Sequence, residues 1–118
     1  MTLVDFSERE DANYPVALEM VSVTVADEGT NAETDVHMNG TIRQIHFTVP
    51  ALDGDDTAEL KLQDADNHTI YASGEKAESV TYVINVERLV CGLISFRVEC
   101  SAQQNDAART FTIAVYYV

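Results

Sequence analysis

Two acidic stretches hold the residues best placed to do chemistry: Asp53, Asp55 and Asp56, then Asp64, Asp66 and Asn67. Oxygen ligands spaced this closely can hold Ca²⁺, which takes roughly six to eight of them. The second run lacks the later glycine and the closing glutamate of an EF-hand loop. Asp and Asn also make turns by hydrogen bonding to their own backbone. Turn formation is the expected role, with a Ca²⁺-stabilised domain as the alternative. His37, His46 and His68 fall in a loop, on an outward strand position and in a turn. Zinc needs about three or four converging ligands, and no Cys-x-x-Cys pair supports them. Ser95 and Ser101 lie on or just after a strand without a Gly-x-Ser-x-Gly elbow. The five glycines are too scattered for a phosphate-cradling loop. No catalytic residue, metal site or cofactor is assigned, and the protein reads as non-enzymatic.

Cys91 and Cys100 are the two cysteines. On one strand they stand ~30 Å apart at ~3.3 Å per residue, and a disulfide needs Cα atoms within about 7 Å. Both are expected to be free, buried thiols, as suits assembly in a reducing cytoplasm.

Charge narrows the partners. Twenty acidic against seven basic residues give a net charge of −13. Such a surface repels phosphate backbones and anionic lipid, so nucleic acid and membrane are not expected partners. Solubility is the plain explanation. A basic partner surface, cation binding or a high-salt environment are the others. The opening residues are acidic where a secretory leader is basic, and no apolar run approaches the ~20 residues of a membrane span.

The elements that must position these residues are strands. In 89–118, Ile94, Phe96, Val98 and Cys100 alternate with polar residues, then Phe111, Ile113, Val115 and Tyr117 do so again. Period-2 alternation sets one row on a core and one toward water. The polar stretch 102–108 reads as the loop of a terminal hairpin, on which the rest of the chain packs. Further strands are read at 17–26, 41–49, 58–62, 69–72 and 80–86, where Val80, Tyr82, Ile84 and Val86 point inward. Loops are read at 27–35, 52–56, 64–67 and 73–78, rich in Asp, Asn and Gly. The expectation is an all-β fold: a single antiparallel β-sandwich of about seven strands over 16–118, Ig-like or jelly-roll. Residues 1–15, with Phe6 and Tyr14, are expected to form an N-terminal arm or edge strand. Tyr116 and Tyr117 point to opposite faces of the last strand, and tyrosine is enriched at protein interfaces.

About half of the chain resembles small structural proteins of tailed bacteriophages. The resemblance rests on 60–71 (Leu-Lys-Leu-Gln-Asp-Ala-Asp-Asn-His-Thr-Ile-Tyr), on Arg88-Leu89-Val90-Cys91-Gly92, and on 111–117 (Phe-Thr-Ile-Ala-Val-Tyr-Tyr). The shared pattern is a strand, an Asp-x-Asp turn, an Ile-Tyr strand, a Leu-x-x-Gly corner and a closing strand pair. Asn67 stands where a glycine would be comfortable, and it tolerates the same left-handed turn. The resemblance implies a virion protein made in the host cytoplasm: a capsid decoration or cement protein on the outside of a phage head. Its partners would be the major capsid protein or other virion subunits, including copies of itself, with Phe6, Tyr14 and Tyr116 as candidate contacts. A tail or neck component, or an Ig-like carbohydrate- or surface-binding module, are the alternatives.

Overall fold

The computed structural model describes residues 16–118. They form strands β1 (Ala17–Val25), β2 (Asn31–Val49), β3 (Thr57–Gln63), β4 (Thr69–Ala72), β5 (Lys76–Ala77), β6 (Val80–Cys100) and β7 (Arg109–Tyr117). Hydrogen bonding links them into one antiparallel sheet in the order β1-β7-β2-β6-β3-β4, with β5 added to β3. Two of these strands are far longer than the rest, and that length sets the architecture. Residues 42–48 of β2 pair with both β6 and β7, whereas 31–41 pair with β6 alone. Residues 95–100 of β6 pair with β3 on their other side.

Each long strand therefore serves two layers. The first layer runs β1, β7, β2 from 42 onward, then β6 up to 88. The second runs β2 up to 41, β6 from 89 onward, β3 and β4. Contacts between the layers place β1 over the first half of β2, where Thr34 Oγ1 donates to the Ser22 carbonyl at 2.7 Å. They place the first half of β6 over β4, where Arg88 Nε donates to the Ile70 carbonyl at 3.1 Å. Two four-stranded layers in this order are a jelly roll, in which two corner-turning strands each supply a segment to both layers.

The corner has a local cause. Inward positions on β2 are even up to Met38 and Ile42, then odd at Ile45, Phe47 and Val49. A register shift between Ile42 and Gln44 changes the parity: Arg43 is extra against β7, while on β6 Val86 and Glu87 together stand opposite it. A bulge of this kind bends its strand and re-aims the side chains that follow. Gly40 sits beside it at φ 140°, and a Cβ there would collide with the Val118 carbonyl. Thr41 and Val118 exchange two backbone hydrogen bonds at the same point, of 2.9 and 3.0 Å. Across the ladder, Gly92 at φ 94° faces Met38.

Between the layers lies one apolar core. Val21, Val23 and Val25 of β1, Leu60 and Leu62 of β3, Ile94, Phe96 and Val98 of β6, and Phe111, Ile113 and Val115 of β7 are all buried in it. Phe47 and Phe111 stack with ring centroids 6.0 Å apart.

Several expectations need correction. The stretch 89–118 is not a hairpin: β6 and β7 do not pair, and β7 lies between β1 and β2. Alternation shows which face a residue takes and not which strand lies beside it. Residues 101–108 cross from one layer to the other, held by Ser101 N on the Thr57 carbonyl and by a bond in each direction between Gln104 and the 28–29 backbone. The loop read at 27–35 ends early, because 31–35 are strand with acidic residues on the outer face. Residues 80–100 are one strand rather than two, and Val80 is an exposed rim residue. Lys76–Ala77 form a brief strand inside the loop read at 73–78. Cys91 is exposed, since odd positions of β6 face outward, while Cys100 is half-buried; both are free. Burial pushes the Cys100 thiol up, with a smaller contribution from the Asp56 carboxylate.

Candidate functional site

The acidic turns are turns. In the first, Asp56 N donates to the Asp53 carbonyl at 3.0 Å. The Asp53 carboxylate takes Arg109 Nη2 at 2.6 Å and Asn105 N at 2.7 Å. Gln104, fully buried, receives Asp53 N on its Oε1 at 2.9 Å and donates through Nε2 to Asp56 Oδ2 at 2.8 Å. This network fastens the crossing loop to the turn after β2. In the second turn Asp64 Oδ1 accepts from Asp66 N and His68 N, both at 2.9 Å. The His68 amide, foremost, holds the Asp64 carboxyl below its usual range. Asn67 takes the left-handed conformation at φ 65°, as a turn residue should. Asp64, Asp66 and His68 bring ligand atoms within 4.8 Å of one another, but Asp64 Oδ1 already accepts the two turn amides, and its Oδ2 lies 3.5 Å from His68 Nδ1.

The informative geometry lies on the two outer faces. The second layer turns Glu33, Asp35 and His37 of β2, Ser95, Arg97 and Glu99 of β6, and Glu59 and Lys61 of β3 toward solvent. Arg97 Nε meets Glu99 Oε2 at 2.7 Å and its Nη1 meets Glu33 Oε1 at 3.2 Å. Lys61 Nζ reaches Glu99 Oε1 at 3.2 Å and Glu59 Oε1 at 4.0 Å. The hydrogen bond from Arg97, with Lys61 beside it, holds the Glu99 carboxyl below its usual range. Both cations of this face are thus engaged by its own carboxylates. Beyond them Glu33, Asp35, Asp64, Asn67 and Ser95 border a shallow depression. The Ser95 hydroxyl is buried there with no hydrogen-bond partner among the described residues.

The first layer is the opposite case. Register places its outward side chains in rows across four strands: Leu18, Tyr116, Gln44, Asn85; then Met20, Ala114, His46, Val83; then Ser22, Thr112, Thr48, Thr81. Thr24 and Thr110 extend the last row. None in these rows is an acid, a lysine or an arginine, on a chain with twenty acidic residues; Glu87 and Arg43 are exposed at the corner end of the layer. The polar members pair among themselves. Gln44 Nε2 donates to Asn85 Oδ1 at 2.8 Å, His46 Nε2 lies 2.8 Å from Gln44 Oε1, and Thr48 Oγ1 lies 3.0 Å from Thr81 Oγ1. Met20 is 57% exposed, Val83 61% and Leu18 51%.

Of the candidate contacts, Tyr116 lies on this uncharged face, half-buried, with its ring 4.9 Å from that of His46. His46 takes the outward position expected of it. Phe6 and Tyr14 lie outside the described residues. Leu18, Met20 and Val83 were not singled out from the sequence. No local signal marks them; only the register that sets β1 beside β7 and β2 beside β6 brings them together.

No protein-family model matches the chain, and no curated protein matches it in sequence. Among solved structures, the carbohydrate-binding module TmCBM61 in complex with beta-1,4-galactotriose is 14% identical over 87% of this chain and 85% of its own, at TM-score 0.45. The VP2 subviral particle protein of infectious bursal disease virus is 14% identical over 85% of this chain and 33% of its own, at TM-score 0.43. Dimeric latent PorU from Porphyromonas gingivalis is 8% identical over 88% of this chain and 13% of its own, at TM-score 0.41. Among the described residues no helix is long and apolar enough to cross a membrane.

Proposed function

We propose that this jelly roll is a non-enzymatic structural subunit of a virion, a decoration or cement protein that binds the outside of an assembled phage head. The observation that carries the reading is the partition of charge over the surface. Carboxylates line the outer face of the second layer, and its two cations, Arg97 and Lys61, are consumed within that face. The remaining field is negative and extended, the kind that steers a rigid domain onto a basic patch. The major capsid protein is the proposed partner. The corner at Gly40 and Gly92 and the buried Gln104 network keep the domain stiff, which preserves contact energy on docking because little needs to be ordered.

Co-sedimentation of the purified protein with heads lacking it tests the reading. Binding is expected to saturate at a fixed ratio to the capsid protein and to weaken by roughly tenfold or more between 0.05 and 0.5 M salt, since exposed charges are screened. Heads that take up no protein at low salt would refute it. A carbohydrate-binding module is the second reading. It is favoured by the neutral Asn85–Gln44–His46 chain beside Tyr116, groups suited to sugar hydroxyls and a sugar face. Saturable binding to a soluble galactan, lost in Tyr116→Ala, would select it over the first.

A further inference from the structure

We propose that the uncharged face of the first layer is the contact between two copies of this chain, related by a two-fold axis running along the strands between β7 and β2. Three observations lead there. The three rows of the face hold no charge, with Glu87 and Arg43 standing only at its corner end, so the rows have nothing to offer a basic surface and little repulsion to overcome against their own equivalents. Each copy carries −13, and approach through the second layer would set Glu33, Asp35, Glu59 and Glu99 against their equivalents. The bare face is the direction in which two copies meet without opposing carboxylates, because like charges brought together cost orders of magnitude in affinity.

The second observation is the arrangement of apolar groups. Leu18 and Met20 stand on β1 at one side of the layer and Val83 stands on β6 at the other, with Met20, Ala114, His46 and Val83 in one row. Rotation about the proposed axis keeps the rows in line and lays β1 of one copy over β6 of its partner. Met20 of each copy then meets Val83 of the other, twice in the interface. An isologous contact needs this self-complementarity.

Size is the third. Four strands at ~4.8 Å and about seven residues at ~3.4 Å give a patch of roughly 450 Å² per copy. Twice that, ~900 Å², falls just short of the ~1,000 Å² that a stable interface clears. The dimer is accordingly weak and reversible. Its salt response is the reverse of electrostatic docking: screening relieves the repulsion between two negative bodies, and association tightens.

Sedimentation equilibrium of the full chain tests this at 0.05 and 0.5 M salt. A monomer–dimer equilibrium that tightens about tenfold with salt is expected. Met20→Glu and Val83→Glu change exposed side chains and should leave the melting temperature within a few degrees while abolishing the dimer. Mixing Met20→Cys with Val83→Cys, both in a Cys91→Ser background, should give a mixed disulfide in excess of either self-disulfide. A chain that stays monomeric at millimolar concentration in high salt would overturn the proposal. So would a dimer indifferent to both glutamates, or self-disulfides in excess.

Discussion

The two outer faces of this sandwich come from the same strands, yet one is crowded with carboxylates and the other carries only Glu87, at its corner end. β2 contributes Glu33 and Asp35 to the second layer and Gln44, His46 and Thr48 to the first; β6 contributes Arg97 and Glu99 to one and Thr81, Val83 and Asn85 to the other. A single strand thus changes its chemistry where it turns the corner. Position in the sheet, not strand identity, determines which residues are charged. Both faces cover the same core, so the difference is not a demand of folding. On the two proposals made above, it marks two kinds of contact.

The corner that separates the faces is the place to break the comparison hardest. Gly40→Ala puts a Cβ into the Val118 carbonyl at a backbone conformation that L residues avoid. A loss of ~2–4 kcal/mol is expected, read by denaturant unfolding. Gln104→Ala strips the buried link between Asp53 N and Asp56, leaving buried polar groups without partners. A cost of ~1–3 kcal/mol follows, with amide exchange rising first in 101–108.

Smaller effects sharpen the contrast between the faces. Arg97→Met removes the cation shared by Glu33 and Glu99, both partly exposed. The loss should be at most ~1 kcal/mol and should vanish in high salt. Glu99 has its folded pKa depressed by Arg97 and Lys61. Its contribution is therefore present above the unfolded carboxylate pKa of about 4.3 and is lost as pH falls through the lower folded value. Stability measured from pH 6 to pH 3 should fall less steeply in Arg97→Met than in the parent. Thr48→Val with Thr81→Val, by contrast, alters an exposed hydroxyl pair of the uncharged face. It should shift stability by no more than ~0.5 kcal/mol at any salt concentration.

Much of the fold was legible because strands announce themselves by alternation. The inward rows at Leu60–Leu62, Ile94–Val98 and Phe111–Val115 came directly from that period, and the core is built from them. The left-handed turn at Asn67 was legible too, from the chemistry of Asp and Asn. What alternation does not carry is pairing. The apparent hairpin of 89–118 failed for that reason: a jelly roll sends adjacent strands to opposite layers, and a polar loop of either kind looks the same. The corner was partly hidden because its bulge at Arg43 shifts parity by one residue, which reads in sequence as a mere break in pattern. The uncharged face was hidden for a different reason. Its members are scattered from Leu18 to Tyr116, and only the register sets them side by side. Tyr116 could be singled out alone; Met20 and Val83 needed the ladder.

The two proposed contacts should respond oppositely to salt, and one experiment reads both. Sedimentation velocity of the protein mixed with bare phage heads, across 0.05 to 0.5 M salt, reports the head-bound fraction and the size of what remains free. The head-bound fraction should fall with salt while the free species moves from monomer toward dimer. A head-bound fraction that rises with salt, or a free species that dissociates as salt is added, would contradict the assignment of the two faces.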